Sequence, residues 1–206
     1  MIDFCVLGSG IAGSTIANLL SKKYSVHVFD KARGAGGRSS NKKLKGNLSF
    51  DHGVQYISPK SKIFAKITQK LFKKKILKTW DGNHLDFTFE KKSLTPKYIG
   101  VKANNALSKY YLKNIKTSFS SQIVKIEHKK YFWEIELDDN SKHQFKALII
   151  TCPFPQLKKL AERYLEKKVS NLKIQMQPNI TVMVALRNKK ELPISSIKFD
   201  DNMLAW

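Results

Sequence analysis

This sequence has no long hydrophobic run and only two cysteines, and each of these features argues against a class of protein. No uninterrupted apolar stretch approaches the ~20 residues that cross a bilayer, so the sequence predicts no membrane span. The apolar run Ile2–Leu7 contains Asp3 and ends in glycines, which is untypical of a signal peptide. The two cysteines, Cys5 and Cys152, both lie in apolar runs, so no disulfide framework is expected. We therefore expect a soluble protein of a reducing compartment, the cytoplasm.

Signatures of metal and hydrolytic sites are also missing. No pair among the five histidines has metal-ligand spacing with a cysteine or an acid, so no metal site is expected. The sequence contains no Gly-x-Ser-x-Gly nucleophile elbow. We interpret Cys152, near the end of a predicted buried strand, as a small core residue rather than a nucleophile.

Acidic residues are few, since 16 Asp and Glu face 38 Lys and Arg, for a net charge of +22. Such a field attracts polyanions. However, only four of the 38 basic residues are arginines, the residue type whose planar guanidinium reads base edges and grips phosphates bidentately. The lysines are spread along the whole chain, so we interpret them as a solvated surface and expect no specific nucleic-acid partner. A polyanion-binding protein stays as an alternative.

The first 30 residues have the pattern of a strand–turn–helix–strand unit. The apolar run Ile2–Leu7 predicts a buried parallel strand, and a glycine-rich turn, Gly8–Gly13, follows at once. Apolar residues at helical spacing predict a helix over 12–23, and a second strand is predicted over Ser25–Phe29. This length is typical of a βαβ crossover, so we expect an α/β fold with a parallel sheet.

The rest of the chain alternates between loop, helix and strand patterns. Residues 31–47 are predicted to be loop because they are rich in Gly, Ser, Asn and Lys. Ile63, Phe64, Ile67, Leu71 and Phe72 mark one face of an amphipathic helix. A further helix is predicted over Ala103–Leu112, strands over Leu48–Asp51, Thr79–Trp80, Leu85–Phe89, Thr117–Ile126, Tyr131–Leu137 and Phe145–Cys152, and a hairpin or meander over 131–150.

The glycine turn carries the first functional signal. Gly8 allows a sharp turn out of the strand, Gly10 lets a pyrophosphate approach the backbone, and Gly13 lets the helix pack on the sheet. Asp30 lies 22 residues after Gly8, close to the ~20 expected for an acid that binds ribose hydroxyls. The pattern predicts an adenine dinucleotide without separating FAD from NAD.

A second glycine-rich segment follows the predicted second strand. Arg33-Gly-Ala-Gly36-Gly37-Arg38 places two arginines around a flexible loop near the expected diphosphate. Arginine suits a diphosphate, and the backbone N–H groups of Gly36 and Gly37 could approach it.

Three motifs together resemble the renalase-like FAD-dependent oxidoreductases of the flavin amine-oxidase superfamily. These motifs are Gly8–Gly13 with Asp30-Lys31, then Gly36-Gly37-Arg38, then Phe50-Asp-His-Gly-Val-Gln-Tyr56. Weaker similarity continues through Tyr98–Val101, Leu148–Gln156 and Leu204–Trp206. The second and third motifs argue against the alternative of an NAD-dependent dehydrogenase.

The resemblance implies a bound FAD and a flavin oxidoreductase. Its implied cofactor residues are Gly8, Gly10, Ala12 and Gly13 in the turn, Asp30 and Lys31, Gly37 and Arg38 near the diphosphate, Gln55 and Tyr56 near the flavin, and Val124 beside the adenosine. Hydride would pass to the flavin from a small-molecule substrate, an amine or a reduced nicotinamide-type compound, and dioxygen would reoxidise the flavin. No catalytic acid or base is assigned, because His52 is interpreted as a structural turn residue beside the cofactor.

Members of this family are longer than 206 residues, so we expect this chain to be a fragment. Residues 1–54 and 101–155 are predicted to form the discontinuous FAD-binding, Rossmann-like domain. Residues 55–100 and 156–206 are predicted to form part of an incomplete α+β substrate domain. We therefore expect weak or no FAD binding by the chain alone, and a second polypeptide that completes the fold. A non-catalytic or split dinucleotide-binding fragment stays as the alternative function.

Overall fold

The computed structural model describes residues 1–46, 48–86, 96–186 and 193–199, and these residues form twelve strands and five α-helices. The strands are β1 Ile2–Leu7, β2 Val26–Phe29, β3 Lys42–Lys43, β4 Ser49–Phe50, β5 Leu77–Thr79, β6 His84–Asp86, β7 Tyr98–Gly100, β8 Lys116–Ser118, β9 Ile123–His128, β10 Trp133–Leu137, β11 Lys142–Ile150 and β12 Ser196–Lys198. The helices are α1 Ile11–Leu20, α2 Lys62–Lys73, α3 Ala106–Leu112, α4 Phe154–Ala161 and α5 Lys167–Ser170, and 3-10 turns cover Gly37–Ser39 and Glu162–Tyr164.

A six-stranded sheet in the order β8-β2-β1-β11-β10-β9 organises the chain. Strands β8, β2, β1 and β11 run parallel, with Phe4 facing Val26 on one side and Ala147 on the other. Strands β10 and β9 add antiparallel pairs. The predicted α/β, Rossmann-like fold is therefore confirmed, but the sheet is mixed. The antiparallel part follows from the short turn after Leu137, because parallel neighbours need a longer crossover.

Both faces of the sheet are covered by apolar residues, which explains the continuous apolar run in β1. Cys5 packs on one face with Phe29 and Phe145, beneath α4. Val6 packs on the other face with Val28 and with Ala17 of α1. A parallel strand buried on both sides needs apolar residues at every position rather than at alternate ones.

Helix α2 forms a separate layer on a third apolar cluster that includes Ile57, Leu71 and Leu107. Ser61 caps the helix by accepting a hydrogen bond from the Phe64 N–H at 3.2 Å. The predicted amphipathic helix is therefore confirmed. Two details of its apolar face are wrong, since Ile63 is 75% exposed and Phe72 is 44% exposed.

Two loop and strand predictions need correction. Residues 31–47 are not all loop, because β3 pairs with β4 through Lys42 and Phe50. The strand predicted over Thr117–Ile126 is split into β8 and β9, since Ser120 has a φ of +51° and the chain leaves the sheet there. The hairpin over 131–150 is confirmed.

All six strands of the main sheet fall within residues 1–54 and 101–155, where the first domain is predicted, although the domain boundaries stay a prediction. The described part of the apolar stretch after α5, residues 172–186, contains no helix or strand. No helix among the described residues is long and apolar enough to span a membrane. The final motif of the resemblance, Leu204–Trp206, and most of the predicted strand 85–89 lie outside the described residues.

Candidate functional site

A cavity of about 1270 Å³ lies at the carboxyl ends of β1, β2 and β11. Leu7, Phe29 and Thr151, which end or follow these three strands, are part of its wall. Ligands of open α/β sheets bind outside the carboxyl ends of the strands. The volume is above the ~300–1,000 Å³ of pockets for drug-sized molecules, so it suits an extended ligand.

The glycine turn between β1 and α1 accepts no larger residue at two positions. Gly8 has a φ of +103°, and its N–H donates to the Phe29 carbonyl at 2.8 Å. A Cβ on Gly13 would lie 1.9 Å from the Gly8 carbonyl oxygen, closer than any real contact. The missing side chains therefore let α1 start directly against the end of β1.

The N-terminus of α1 opens into the cavity. Its N-cap is Gly10, which has no side chain to satisfy the free backbone donors, and no acidic residue lies in the first turn. The first donor to the Gly10 carbonyl is the Ser14 N–H at 2.9 Å, so the N–H groups of Ile11, Ala12 and Gly13 have no partner inside the helix. All three residues line the cavity, and such a helix start favours an anion such as a phosphate.

Asp30 lines the same cavity and is held by three hydrogen bonds. Its Oδ2 accepts from the Ser9 N–H at 2.7 Å and from the Ser9 hydroxyl at 2.5 Å. Its Oδ1 accepts from the Ala32 N–H at 2.8 Å. The carboxylate is therefore fixed beside the cavity, where it can accept from a hydroxyl group of a ligand.

The second glycine segment closes against the first. The Gly36 N–H donates to the Ser9 carbonyl at 3.1 Å, and Gly36 forms a parallel bridge with Gly10. Gly37 has a φ of +53°, and a Cβ there would lie 3.1 Å from the Gly10 Cα. Arg38 lines the cavity, whereas Arg33, the other arginine of this segment, does not.

Nine of the eleven residues predicted to bind the cofactor surround this one cavity. They are Gly8, Gly10, Ala12, Gly13, Asp30, Lys31, Gly37, Arg38 and Val124. Unsatisfied helix donors, a basic side chain and a fixed carboxylate are the groups that a dinucleotide needs for its phosphates and ribose. The chain therefore fits an adenine dinucleotide, and the individual contacts stay predictions.

The other two predicted residues, Gln55 and Tyr56, do not line the cavity. Gln55 is exposed, and the Tyr56 ring lies 5.8 Å from the Trp80 ring. The Lys97 ammonium lies 4.9 Å from the centre of the Tyr56 ring. Partial burial raises the pKa of Tyr56 and lowers that of Lys97.

Asn104, which no sequence motif marks, positions the segment that carries Val54 of the cavity wall. It is 2% exposed, and its Nδ2 donates to the carbonyls of Val54 at 2.7 Å and Gln55 at 2.8 Å. Its N–H donates to Asp51 at 3.0 Å. Asn104 therefore holds the third motif of the resemblance in place. The only sequence signal is an Asn before a helix, which is typical of a cap and says nothing about such distant contacts.

Neither His52 nor Cys152 has the geometry of a catalytic group. The His52 ring lies 3.3 Å from the Ser40 hydroxyl, and its backbone carbonyl accepts from Thr181 at 2.9 Å, which fits the turn role expected for it. Cys152 is at the cavity wall rather than in the core. Burial raises the pKa of its thiol, so the thiol is held in the less nucleophilic protonated form.

Known proteins share this fold and part of this sequence. Residues 6–71 match the model of a family described as NAD(P)-binding Rossmann-like domain. Renalase of Mus musculus is 27% identical over 168 residues, which cover 75% of this chain and 48% of that protein. Putrescine oxidase in complex with putrescine superposes with a TM-score of 0.61 at 11% identity, over 82% of this chain and 62% of that one. The tetracycline destructase Tet(51) gives a TM-score of 0.52 at 13% identity, over 82% and 42%.

Fold and site together define an α/β chain with a Rossmann-like fold, whose cavity fits a dinucleotide. Within that class, the expected resemblance to renalase is confirmed by sequence similarity. The chain spans about half the length of the renalase it matches, 48%.

Proposed function

We propose that this chain is the cofactor-binding part of a renalase-like, FAD-dependent oxidoreductase. The observation that carries the proposal is the convergence of the α1 N-terminus, Asp30 and Arg38 on one cavity. Ala12 and Gly13 would hold the diphosphate with their backbone N–H groups, Gly10 would let it approach closely, and Arg38 would neutralise it. Asp30 would accept a hydrogen bond from the adenosine ribose.

The remaining predicted residues would complete the cofactor contacts. Lys31 would add positive charge beside Asp30, and Val124 would contact the adenosine. Gln55 and Tyr56 would border the flavin, positioned by Asn104. Both cysteines are free thiols, which suits the reducing cytoplasm that we propose as its location.

When bound, FAD would accept a hydride from an amine or a reduced nicotinamide-type substrate and would return the electrons to dioxygen. The charge of the chain supports the nicotinamide class. Lys97 beside Tyr56 and a net charge of +22 would attract an anionic nucleotide and repel a polyamine cation. The contribution of these residues would therefore be to hold the substrate rather than to move a proton.

The proposal is tested by titrating FAD into the purified chain under anaerobic conditions and then adding NADH or putrescine. We expect saturable but weak FAD binding and faster bleaching of the flavin absorption by NADH. Asp30→Ala should weaken FAD binding, whereas Asp139→Ala, in an exposed turn away from the cavity, should not. Binding of NAD with no binding of FAD would favour a dehydrogenase. DNA binding with a steep salt dependence and no flavin would favour a polyanion-binding protein.

A second candidate, a split or non-catalytic dinucleotide-binding subunit, is supported by the apolar segment, residues 172–186. Ile180 is 92% exposed and Val182 is 82% exposed. Val184 and Leu186, at the next two alternate positions, are exposed as well. Monomeric soluble proteins rarely expose large contiguous apolar patches. We propose that a second polypeptide pairs with this segment as an added strand, beside the His52 turn that Thr181 contacts.

Light scattering of the chain alone tests this second candidate. A monomer that binds a hydrophobic dye, and binds less after Ile180→Ser and Val182→Ser, is the expected result. A stable dimer that these substitutions dissociate would show that a second copy covers the segment, and would overturn the proposal.

A further inference from the structure

The hydrogen bonds around Asp30 leave it little capacity for a ligand. An ionised carboxylate accepts about four hydrogen bonds, two at each oxygen. Ser9 supplies two donors to Oδ2, its N–H at 2.7 Å and its hydroxyl at 2.5 Å. The Ala32 N–H occupies one position on Oδ1 at 2.8 Å. One accepting position therefore remains, and it is on Oδ1.

The Ser9 side chain is placed so that it cannot easily release Asp30. Ser9 is fully buried. Its carbonyl accepts the Gly36 N–H at 3.1 Å, so its backbone is fixed between the two glycine segments. A buried hydroxyl that lost its acceptor would remain unsatisfied, which is costly.

We propose that Ser9 is a specificity-determining residue that restricts Asp30 to one of the two ribose hydroxyls of the bound adenosine. The inference rests on the proposed adenine-dinucleotide function. A carboxylate with a free position on each oxygen matches two neighbouring hydroxyls, whereas Asp30 has a free position on Oδ1 alone. Removing the Ser9 hydroxyl leaves two backbone donors, one on each oxygen, and frees a second position.

The test is calorimetric binding of ADP, 2′-deoxy-ADP and 3′-deoxy-ADP to the full chain. In the wild type, we expect one deoxy compound to bind about tenfold more weakly than ADP and the other to bind within about twofold, since hydrogen bonds to charged groups are the strong ones. In Ser9→Ala, both deoxy compounds should bind about tenfold more weakly than ADP. Ser14→Ala is the matched control, because Ser14 is equally buried but donates to the Ile11 carbonyl at 3.1 Å.

Each outcome of the calorimetric test either supports or overturns the role proposed for Ser9. Equal weakening of both deoxy compounds in the wild type, or no weakening of either, would overturn the inference, and this comparison needs no variant. A wild-type pattern in Ser9→Ala would overturn the role of Ser9. If ADP itself does not bind, the proposed function fails, and the inference fails with it.

Discussion

We compare two regions of the chain, the cradle (residues 8–38) and the apolar segment (residues 172–186). They differ in how far their polar and apolar groups find partners within the chain. The cradle joins its pieces by hydrogen bonds, such as those from Ser9 to Asp30 and from Gly36 to Ser9. The apolar segment leaves Ile180 and Val182 almost fully in solvent. Burial of apolar surface is the main favourable term in folding, so the segment contributes little to stability as it stands.

The contrast between the two regions indicates which properties this chain can have by itself. The groups that we propose for holding the phosphates and the ribose lie mostly within one stretch, residues 8–38, which rests on a buried sheet. The region beside Gln55 and Tyr56, where the flavin is predicted, borders the exposed segment through the bond from Thr181 to His52. We therefore expect nucleotide binding and substrate turnover to be separable properties.

The largest effect on stability is expected when an apolar side chain of the sheet core is truncated and compared with one of the apolar segment. Ile135 is fully buried in the sheet core. Ile135→Ala should lower the free energy of unfolding by about 3–4 kcal/mol, because it removes transfer energy and leaves a cavity. Ile180→Ala is the matched variant and should change it by less than about 0.5 kcal/mol. Urea denaturation measures both, and a large loss for Ile180→Ala would mean that the segment packs in solution.

Adding one methyl group tests the close contact inside the cradle. Gly13→Ala would put a Cβ 1.9 Å from the Gly8 carbonyl oxygen. It should destabilise the fold by about 2–3 kcal/mol by pushing α1 off β1, and it should also weaken ADP binding. Gly34→Ala has no atom within 4 Å of the new Cβ and should be neutral or slightly stabilising. Similar unfolding curves for the two variants would contradict the packing described for the glycine turn.

Lowering the pH tests the stability of the sheet beneath the cradle, because His27 is buried in that sheet. Burial, helped by the charges of Lys116 and His143, lowers the pKa of His27 from 6.5 to about 4. Because the folded-state pKa lies below the unfolded one, this stability is present above pH 6.5 and is lost as the pH falls toward 4. The loss between pH 7 and 5 should be about 2 kcal/mol.

Unfolding curves of the wild type and His27→Gln at both pH values isolate this effect. The variant should lose about 2 kcal/mol less than the wild type on acidification. His128→Gln, at an exposed position, should behave like the wild type. An equal pH dependence in the wild type and His27→Gln would exclude His27 as the cause.

The smallest effect is expected where the two regions meet. Thr181→Val removes the exposed hydrogen bond to the His52 carbonyl. The free energy of unfolding should change by less than about 0.5 kcal/mol, because water replaces the lost donor. A change above 1 kcal/mol would show that the apolar segment is an integral part of the cradle side of the fold.

The sequence predicts the cradle well because its signals are local. β1, the glycine turn, α1 and β2 follow each other within 30 residues, and Asp30 stands at the spacing that the turn requires. Closeness in sequence is not sufficient, however, because Arg33 neighbours the second glycine segment and yet does not line the cavity. Which way a side chain of a loop points depends on packing that spacing does not encode.

Contacts between distant segments could not be predicted. Asn104 reaches Val54 across 50 residues of chain, and no periodicity marks such a pair. The break between β8 and β9 depends on the positive φ of Ser120, a residue that rarely adopts that conformation. Tertiary packing, not local preference, decides both features.

The most direct test of the central claim is a calorimetric comparison of ADP and FMN binding to the wild-type chain. ADP carries the ribose and diphosphate that we propose the cradle holds, and FMN carries the flavin without the adenosine. We expect that ADP binds and that FMN does not. Binding of FMN without binding of ADP would contradict it.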